Sequence, residues 1–442
     1  MQLRAEGARL LRLAVPVAGS NVLMIAMGFV DQALLGHYGT HELAALVLAN
    51  PWIFGTVMFA NGILLGLDPI IARAHGAGDG ERCARAAHAG FVLAALLSLP
   101  VAALWWFTEP VLVAIGQDPA VSHSAAIFVR AQIPGIPFML GNTVLSRYLQ
   151  NREHVNQTLA VMIVANLVNA LAAWALIYGR LGLPELGVLG AGLATNATRI
   201  ASALTLVVWT RAFRLTEGAW VPFSARAFEW RGLREILGFG VPIAFQTCTE
   251  MWAFGVASFI AGPLGAVALS AHGIAMGWAS LTFMIPLGIS QAVTIRAGNL
   301  IGAGNPAAAA RAGWIGIAGS AAFMAFAAAA FILGRDVLPR AYTSDAAVIA
   351  ACAAILPIAG AFEIFDGTQA AACGMLRGMG RPMPATLANL VGYWVVALPL
   401  GAYLTRHTDL GLRGLWSGLC LGLIVVALSL VVWLRRNAPR AG

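Results

Sequence analysis

Long apolar stretches separated by short polar segments occupy almost the whole chain. We count twelve such stretches, at roughly residues 12–36, 44–70, 86–107, 123–146, 157–179, 187–210, 236–262, 270–295, 312–334, 345–374, 384–405 and 411–434. Each is long enough for an α-helix to cross the hydrocarbon core of a membrane, with some tilt. The pattern therefore predicts an all-α membrane protein with twelve transmembrane helices.

Composition supports this fold class. The 442 residues are 60% hydrophobic and only 10% charged, and the mean hydropathy is +0.80. A soluble domain carries about 25% charged residues, so too little polar sequence remains to build one. The net charge of +8 could suggest a nucleic-acid binder, but the basic residues are scattered over short loops and not gathered on one face. We expect membrane lipid around the chain and no nucleic-acid partner.

The positions of the arginines predict the orientation of the helices. If the chain crosses the membrane at every span, 20 of the 27 basic residues fall on the side of the N-terminus and five on the other side. The remaining two, Arg130 and Arg199, lie inside spans. Because cytoplasmic loops are enriched in basic residues, both termini are expected in the cytoplasm. The asymmetry also supports an even number of spans.

The chain contains an internal repeat. Its longest polar stretch, residues 211–235, separates two groups of six spans, and Val15-Pro16 matches Val241-Pro242 at an offset of 226 residues. The same offset aligns Gly36 with Gly262, Gly39 with Gly265, Leu43 with Leu269, Ala45 with Ala271, Gly62 with Gly288, Arg85 with Arg311, and the segment 76–79 with 302–305.

Two copies that are six spans apart have the same topology, so a pseudo-two-fold axis along the membrane normal is expected to relate them. We predict an N-terminal lobe at 1–210, a cytoplasmic linker at 211–235 and a C-terminal lobe at 236–442. Two lobes around a central cleft permit alternating access, which favours a transporter over a receptor, a channel or a membrane enzyme.

Carboxylates inside the spans are the main candidates for function. Glu250 lies in the middle of the seventh span, Asp31 near the end of the first, and Asp366 in the middle of the tenth, with Glu363 one helical turn before it. A charge at the bilayer centre costs roughly 2.5–3.5 kcal/mol on insertion scales, so such acids are functional sites by default. A structural carboxylate that a neighbouring helix satisfies is the competing interpretation. The repeat partner of Asp31 is Ala257, so the lobes differ chemically.

An acid in low dielectric binds a proton more readily than one in water. Its oxygens also suit a hard cation, and Glu250 with Asp366 forms a candidate Na⁺ site. An organic cation could bind to the same carboxylates. If ion and substrate compete for one acidic site, the ion gradient can drive the substrate out. No resident cofactor is expected beside the coupling ion.

Other polar residues in the spans are candidates for binding. Arg199 lies in the middle of the sixth span, where it could be the counter-ion of Asp31, line the cleft or bind a substrate anion. The amides of Asn166, Asn169 and Asn196 could line the cavity of the first lobe or only bond helices together.

Two candidates belong to the second lobe. Gln246 lies four residues before Glu250, on the same helical face. Tyr393 is one of several aromatic residues that could stack on cationic substrates or serve in packing.

Five segments together resemble the multidrug and toxic compound extrusion (MATE) family over nearly the full length. They are VDQALLGHYGTHELAA at 30–45, LPELGVLGAGLAT at 183–195, TEMWAFGVASFIAG at 249–262, AGNLIGAGN at 297–305 and GMLRGMGRP at 374–382. The resemblance implies a bundle of twelve helices in two lobes, and export of organic cations coupled to inward Na⁺ or H⁺. The NorM class implies acids in helices one, seven and ten, at Asp31, Glu250 and Asp366.

The chain departs from the family pattern at four positions. Gly255 replaces the second acid of a related pattern, and Glu363 stands where relatives carry Gln or His. Arg199 is unusual, and Ala173 replaces an amide found in NorM-like relatives. An additional acid and a missing amide favour H⁺ over Na⁺ as the coupling ion.

We predict a monomeric antiporter of the bacterial inner membrane that exports small organic cations, and not an enzyme, since no catalytic cluster appears. A flippase of the same two-lobe fold for a lipid-linked sugar or another amphiphile is the alternative. It would favour several arginines in the cleft, and only Arg199 qualifies.

Overall fold

The computed structural model describes residues 2–438, apart from the side chains of residues 2, 3, 225 and 226, and every regular element in this range is a helix. Twelve long helices follow one another: α1 Gln2–Tyr38, α2 Thr40–Gly76, α3 Gly80–Trp106, α4 Pro119–Asn151, α5 Asn156–Ile177, α6 Gly187–Ala212, α7 Trp230–Ala261, α8 Ala266–Gly302, α9 Pro306–Leu333, α10 Ala346–Gly378, α11 Met383–His407 and α12 Leu412–Asn437. Short helices lie in the connections at Thr108–Ala114, Ala225–Phe228, Gly262–Leu264 and Leu338–Ala341. The predicted all-α class is confirmed.

Eleven of the twelve long helices in the described range are apolar enough to cross a membrane. The exception is α7, although its 32 residues are ample in length. Its middle carries the polar residues Gln246, Thr249 and Glu250, which lower the mean hydropathy of the helix. The seventh predicted span is therefore a helix whose polar centre requires partners inside the protein.

Three of the long helices change their geometry along their length. Helix α2 turns at Leu65 and Gly66, and α4 passes through a 3₁₀ turn at Ile133–Gly135. Helix α11 contains a π-helical segment at Leu390–Ala397. π-Helical turns are rare and occur frequently at functional sites, because the wider turn redirects side chains.

The chain forms two compact units. One runs from Gly19 to Ala244, and the other combines the chain up to Ala18 with the chain from Phe245 onward. The lobes predicted from the linker place the first predicted span wholly in the first lobe and the seventh wholly in the second. The compact units instead divide both helices, and residues 211–235 belong with the first unit.

Equivalent close contacts of the repeat explain this exchange. A Cβ atom added to Gly288 of α8 would lie 2.9 Å from Ala18 Cα, and one added to Gly62 of α2 would lie 2.5 Å from Ala244 Cα. Gly62 and Gly288 are partners in the repeat, and so are Ala18 and Ala244. The first half of α7 thus packs against α2 in the first unit, and the first half of α1 packs against α8 in the second. Only glycine permits so close an approach.

Ion pairs accompany these contacts. Within the second unit, Arg296 of α8 donates two hydrogen bonds to the Glu6 carboxylate of α1, from Nε at 2.5 Å and from Nη2 at 3.0 Å. Within the first unit, Arg82 of α3 pairs with Glu235 of α7 at 2.8 Å. Bidentate charge-assisted bonds of the first kind are among the strongest that side chains make.

Candidate ion and substrate site

A hydrogen-bonded network surrounds Glu250 in the second unit. Its Oε2 atom accepts hydrogen bonds from Gln369 Nε2 of α10 and from Asn389 Nδ2 of α11, both at 3.1 Å. Tyr393, in the π-helical segment of α11, donates from its hydroxyl to Gln369 Oε1 at 3.1 Å. An ionised carboxylate can only accept, so the NH₂ group of Gln369 faces Glu250 and its oxygen is left to accept from Tyr393.

Two further acids lie on α10 in the same unit. Glu363 is fully buried and accepts a hydrogen bond at Oε2 from Thr282 Oγ1 of α8, at 2.6 Å. Asp366 is buried one turn later and lies within electrostatic range of both Glu250 and Glu363. The structure therefore brings together Glu250, Glu363 and Asp366, the three acids predicted for the second lobe.

These acids lack full compensation for their charge. Glu363 Oε1 and Asp366 Oδ1 are buried and accept no hydrogen bond. No ion pair between residues 2 and 438 includes any of the three acids. Arg377 of α10 is the basic residue that acts on Glu250 electrostatically. Buried polar atoms are normally paired, so a free acceptor here marks a place where a proton or a cation can bind.

Asp31 is the buried acid of the first unit. The neighbour whose amide interacts with its carboxylate is Asn169 of α5, which is fully buried. Asp31 Oδ1 and both polar atoms of the Asn169 amide are buried and make no hydrogen bond of standard geometry. Of the three asparagines predicted for this lobe, the structure brings Asn169 to Asp31.

The other two asparagines have different neighbours. Asn166 donates from Nδ2 to the Met162 carbonyl of its own helix at 2.9 Å. The Asn196 side chain lies against the 3₁₀ turn of α4, where a Cβ atom on Gly135 would come within 2.1 Å of Asn196 Oδ1. The Asn166 bond stays within one helix, so it does not join helices, which was one of the two roles considered for this amide.

Of the three roles considered for Arg199, the structure does not support pairing with Asp31. The Arg199 guanidinium lies over the Trp105 ring, with Cζ 5.4 Å from the ring centroid, and its Nη1 faces the Gln132 carbonyl at 3.4 Å. No ion pair joins Arg199 to an acid in the part of the chain that the structure describes. The interruption of α4 directly after Gln132 brings that carbonyl to Arg199, and an aromatic face accommodates the cation instead of a carboxylate.

Aromatic residues of the second unit are held in place by packing and hydrogen bonds. The Phe254 ring contacts the rings of Phe362 and Tyr393 edge to face, at centroid distances of 6.0 and 5.7 Å. Trp394 donates from Nε1 to the Thr249 carbonyl at 3.0 Å. Gln246 is buried, and its Oε1 has no hydrogen-bond donor.

Sequence reasoning missed Gln369, Asn389 and Thr282. A signal was present for Gln369, which lies three residues after Asp366 and hence on the same helical face. No comparable signal marks Asn389 or Thr282, because their roles depend on which helices are neighbours.

The site does not have the composition of a dedicated metal centre. Within residues 2–438, no group of three or more His, Cys, Asp or Glu side chains is arranged to hold a metal ion. A Na⁺ ion at Glu250 and Asp366 would therefore need amide or backbone oxygens as its remaining ligands, since oxygen-coordinated cations take six or more.

Comparison with known proteins decides the family. The MatE family profile matches the chain twice, at residues 16–175 and 242–403. The chain belongs to the MatE family. The two matches begin 226 residues apart, which confirms the internal repeat.

The relatives and solved structures agree over nearly the whole length. The probable multidrug resistance protein NorM of Mesorhizobium japonicum is 36% identical over 98% of this chain and 95% of the relative. The multidrug resistance protein PmpM of Pseudomonas aeruginosa is 31% identical over 100% of this chain and 93% of the relative. The crystal structure of the eukaryotic MATE transporter AtDTX14 superimposes with a TM-score of 0.90 at 24% identity, covering 98% of this chain and 96% of that one. This member of the MatE family is thus a NorM-like, multi-pass bacterial membrane protein with the two-lobe MATE fold.

Proposed function

We propose that this chain is a proton-coupled multidrug efflux antiporter that exports organic cations from the bacterial cytoplasm by alternating access. The observation that carries the proposal is the group of three acids, the half-buried Glu250 and the buried Glu363 and Asp366, with two carboxylate oxygens that accept no hydrogen bond. Such a group binds positive charge in one state and must release it in another.

Competition for the acids couples the two fluxes. Three ionised carboxylates in a hydrocarbon environment are unfavourable unless protons or a cation offset their charge. A proton entering from outside and an organic cation leaving from inside would each meet this need. Both cannot do so fully at once, so binding of one favours release of the other.

The donor set favours a proton as the coupling ion over Na⁺. Glu363 adds a third acid to the pair, and no metal-holding group occurs among the described residues. A proton needs one free oxygen lone pair, which Asp366 Oδ1 and Glu363 Oε1 provide. A Na⁺ ion needs several oxygens arranged around it.

The names of the relatives support drug-like substrates, since NorM and PmpM are both called multidrug resistance proteins. The arginine asymmetry supports an inner-membrane protein with both termini in the cytoplasm. We propose that the monomer is the working unit, because both repeats and the acid group are present in one chain.

Reconstitution into liposomes tests the proposal. A pH gradient and a Na⁺ gradient are imposed separately while the efflux of a fluorescent organic cation is followed. We expect the pH gradient alone to drive efflux, and Glu250→Gln and Asp366→Asn each to abolish it. Asp336→Asn, a change to an exposed acid, serves as the control and should leave efflux unchanged.

Wild-type rates in both acid variants would contradict the site. Efflux driven by Na⁺ alone would contradict the choice of ion. Gradient-independent movement of a labelled lipid-linked sugar, with no transport of the cation, would favour the flippase.

A further inference from the structure

A charged pocket lies within the first unit and includes none of the acids described above. It has a volume of about 390 Å³ and lies between the beginning of α3 and the beginning of α7. Its charged lining residues are Arg82, Arg85, Glu229, Arg231 and Glu235. Both signs of charge are thus present in one small cavity.

Two of these charges are free to bind a ligand. Arg82 and Glu235 form an ion pair at 2.8 Å, and Arg85 makes a longer contact with Glu81 at 3.5 Å. The side chains of Arg231 and Glu229 make no ion pair or hydrogen bond with residues that the structure describes. A free guanidinium and a free carboxylate therefore face the same cavity, two residues apart in the chain.

The deep wall of the pocket is apolar. It consists of Ile70, Ala86, Ala89 and Ile236, which are all buried within the first unit. These residues belong to helices that cross the membrane, or, for Ile236, to the first turns of α7. The wall is therefore suited to contact the upper part of an acyl chain.

Exposed aromatic side chains beside the pocket mark the depth of the lipid headgroups. Phe228 and Trp230, on either side of Glu229, are 64% and 65% exposed. Phe223, earlier in the same segment, is also exposed and packs edge to face on Phe228, with a centroid distance of 6.1 Å. Aromatic rings that are exposed next to the ends of membrane helices typically lie at the membrane–water interface.

The other copy of the repeat carries a different set of charges at the equivalent positions. At an offset of 226, Arg85 aligns with Arg311 and Glu235 aligns with Arg9, whereas Arg82, Glu229 and Arg231 align with Ala308, Leu3 and Ala5. The acid Glu229 and the guanidinium of Arg231 therefore have no charged counterparts in the other copy.

We propose that this pocket binds the headgroup of a phospholipid with a primary amine, of the phosphatidylethanolamine class. Arg231 and Arg85 contact the phosphodiester, Glu229 accepts hydrogen bonds from the ammonium group, and the apolar wall contacts the start of an acyl chain. Guanidinium groups recognise phosphate through paired hydrogen bonds. A carboxylate recognises an ammonium group by accepting charge-assisted hydrogen bonds from its N–H groups. A quaternary amine has no N–H to donate, and a glycerol headgroup has no positive charge for Glu229.

Lipid binding to the purified full-length protein tests this assignment by native mass spectrometry. Delipidated protein is titrated with phosphatidylethanolamine, phosphatidylcholine or phosphatidylglycerol of identical acyl chains. We expect the ethanolamine lipid to bind about tenfold more tightly than either of the others, because each of them loses one charge-assisted contact. Equal binding of the three lipids, or a preference for phosphatidylglycerol, would overturn the proposal.

Variants separate the two halves of the headgroup. Arg231→Gln should weaken binding of the ethanolamine lipid about tenfold, and Glu229→Gln should remove its advantage over the choline lipid. Arg234→Gln is the matched control, since Arg234 is exposed on the same helix turn but does not line the pocket. Lipid preferences that stay unchanged in both pocket variants would contradict the site.

A soluble competitor distinguishes a membrane lipid from a free phosphate ester. Glycerophosphoethanolamine carries the same headgroup without acyl chains. At the concentration at which the lipid binds, it should fail to displace the lipid, because it lacks the contact with the apolar wall. Displacement would show that the pocket serves a soluble phosphate ester and would overturn the assignment to lipid.

Discussion

The Tyr393 hydroxyl donates a hydrogen bond to Gln369 Oε1 at 3.1 Å, and this bond stabilises the orientation in which the Gln369 amide presents its NH₂ group to Glu250. The same bond also restrains the Gln369 side chain, whose NH₂ group would otherwise have only Glu250 to hold it in place. Tyr393 lies in the π-helical segment of α11 and does not itself touch Glu250 through any hydrogen bond in the described chain. It is a positioning residue for the acid site.

Removal of that hydroxyl should therefore weaken proton coupling without removing the acid. One hydrogen bond contributes about 0.5–1.5 kcal/mol, so Tyr393→Phe should lower the pH-driven efflux rate about two- to tenfold and alter its pH profile. Tyr403→Phe is the matched control, because Tyr403 is an exposed tyrosine on the same helix. Equal efflux and equal pH profiles in both variants would show that the Gln369 amide needs no such restraint.

Glu363 should act on the pH dependence of transport more than on drug affinity. It is fully buried, its Oε2 accepts from Thr282, and its Oε1 has no partner. Glu363→Gln removes one proton-binding group and should flatten or shift the pH profile of efflux. Thr282→Val leaves the acid but removes the donor that favours its ionised form, so efflux should move to higher pH.

The two variants are compared in liposomes over pH 6 to about 9, with drug binding measured separately by fluorescence. An unchanged pH profile in Glu363→Gln would exclude this acid from proton coupling. A large loss of drug affinity, with the pH profile unchanged, would assign Glu363 to the substrate instead.

Arg199 and Asp31 should behave independently. The guanidinium lies over Trp105 and faces the Gln132 carbonyl, whereas Asp31 has Asn169 as its polar neighbour. Separate residues with no shared partner give additive effects, usually within about 0.5 kcal/mol. The double variant Arg199→Gln with Asp31→Asn should thus show the product of the two single effects on efflux rate. Rescue of Asp31→Asn by Arg199→Gln would restore the ion-pair hypothesis.

The sequence indicates the acids but not their partners, and the reason is physical. An ionised group in an apolar span stands out from its neighbours, so Asp31, Glu250 and Asp366 could be found from hydropathy and the family pattern. Amides are common in such spans, and the partner of each depends on which helices pack together. Asn389 reaches Glu250 because α7, α10 and α11 meet, and the spacing within any one helix does not encode that meeting.

The repeat shows the same limit for the fold. The offset of 226 predicts that Gly62 and Gly288 are equivalent, and the structure gives both the same kind of close contact. Gly62 contacts Ala244 and Gly288 contacts Ala18, so in each case the partner lies in the other repeat, beyond the polar linker. Division of the chain at its polar stretch therefore cannot predict where each compact unit ends.

A larger side chain at Gly62 should destabilise the first unit specifically. A Cβ atom there would lie 2.5 Å from Ala244 Cα and 2.9 Å from Ala244 Cβ, and backbone atoms of a packed helix cannot move aside at little cost. Overpacking of this kind costs about 1–3 kcal/mol, so Gly62→Ala should lower the thermal unfolding midpoint in detergent by several degrees. Gly55→Ala, on the same helix with no atom within 4 Å of the added Cβ, is the control and should leave the midpoint unchanged or raise it slightly.

Ala244→Gly in the Gly62→Ala background should recover only part of the loss, since it removes the Cβ clash and leaves the Cα clash. Equal midpoints for Gly62→Ala and Gly55→Ala would show that α2 and α7 can separate freely at this point, and the contact would then not explain why the beginning of α7 belongs with the first unit.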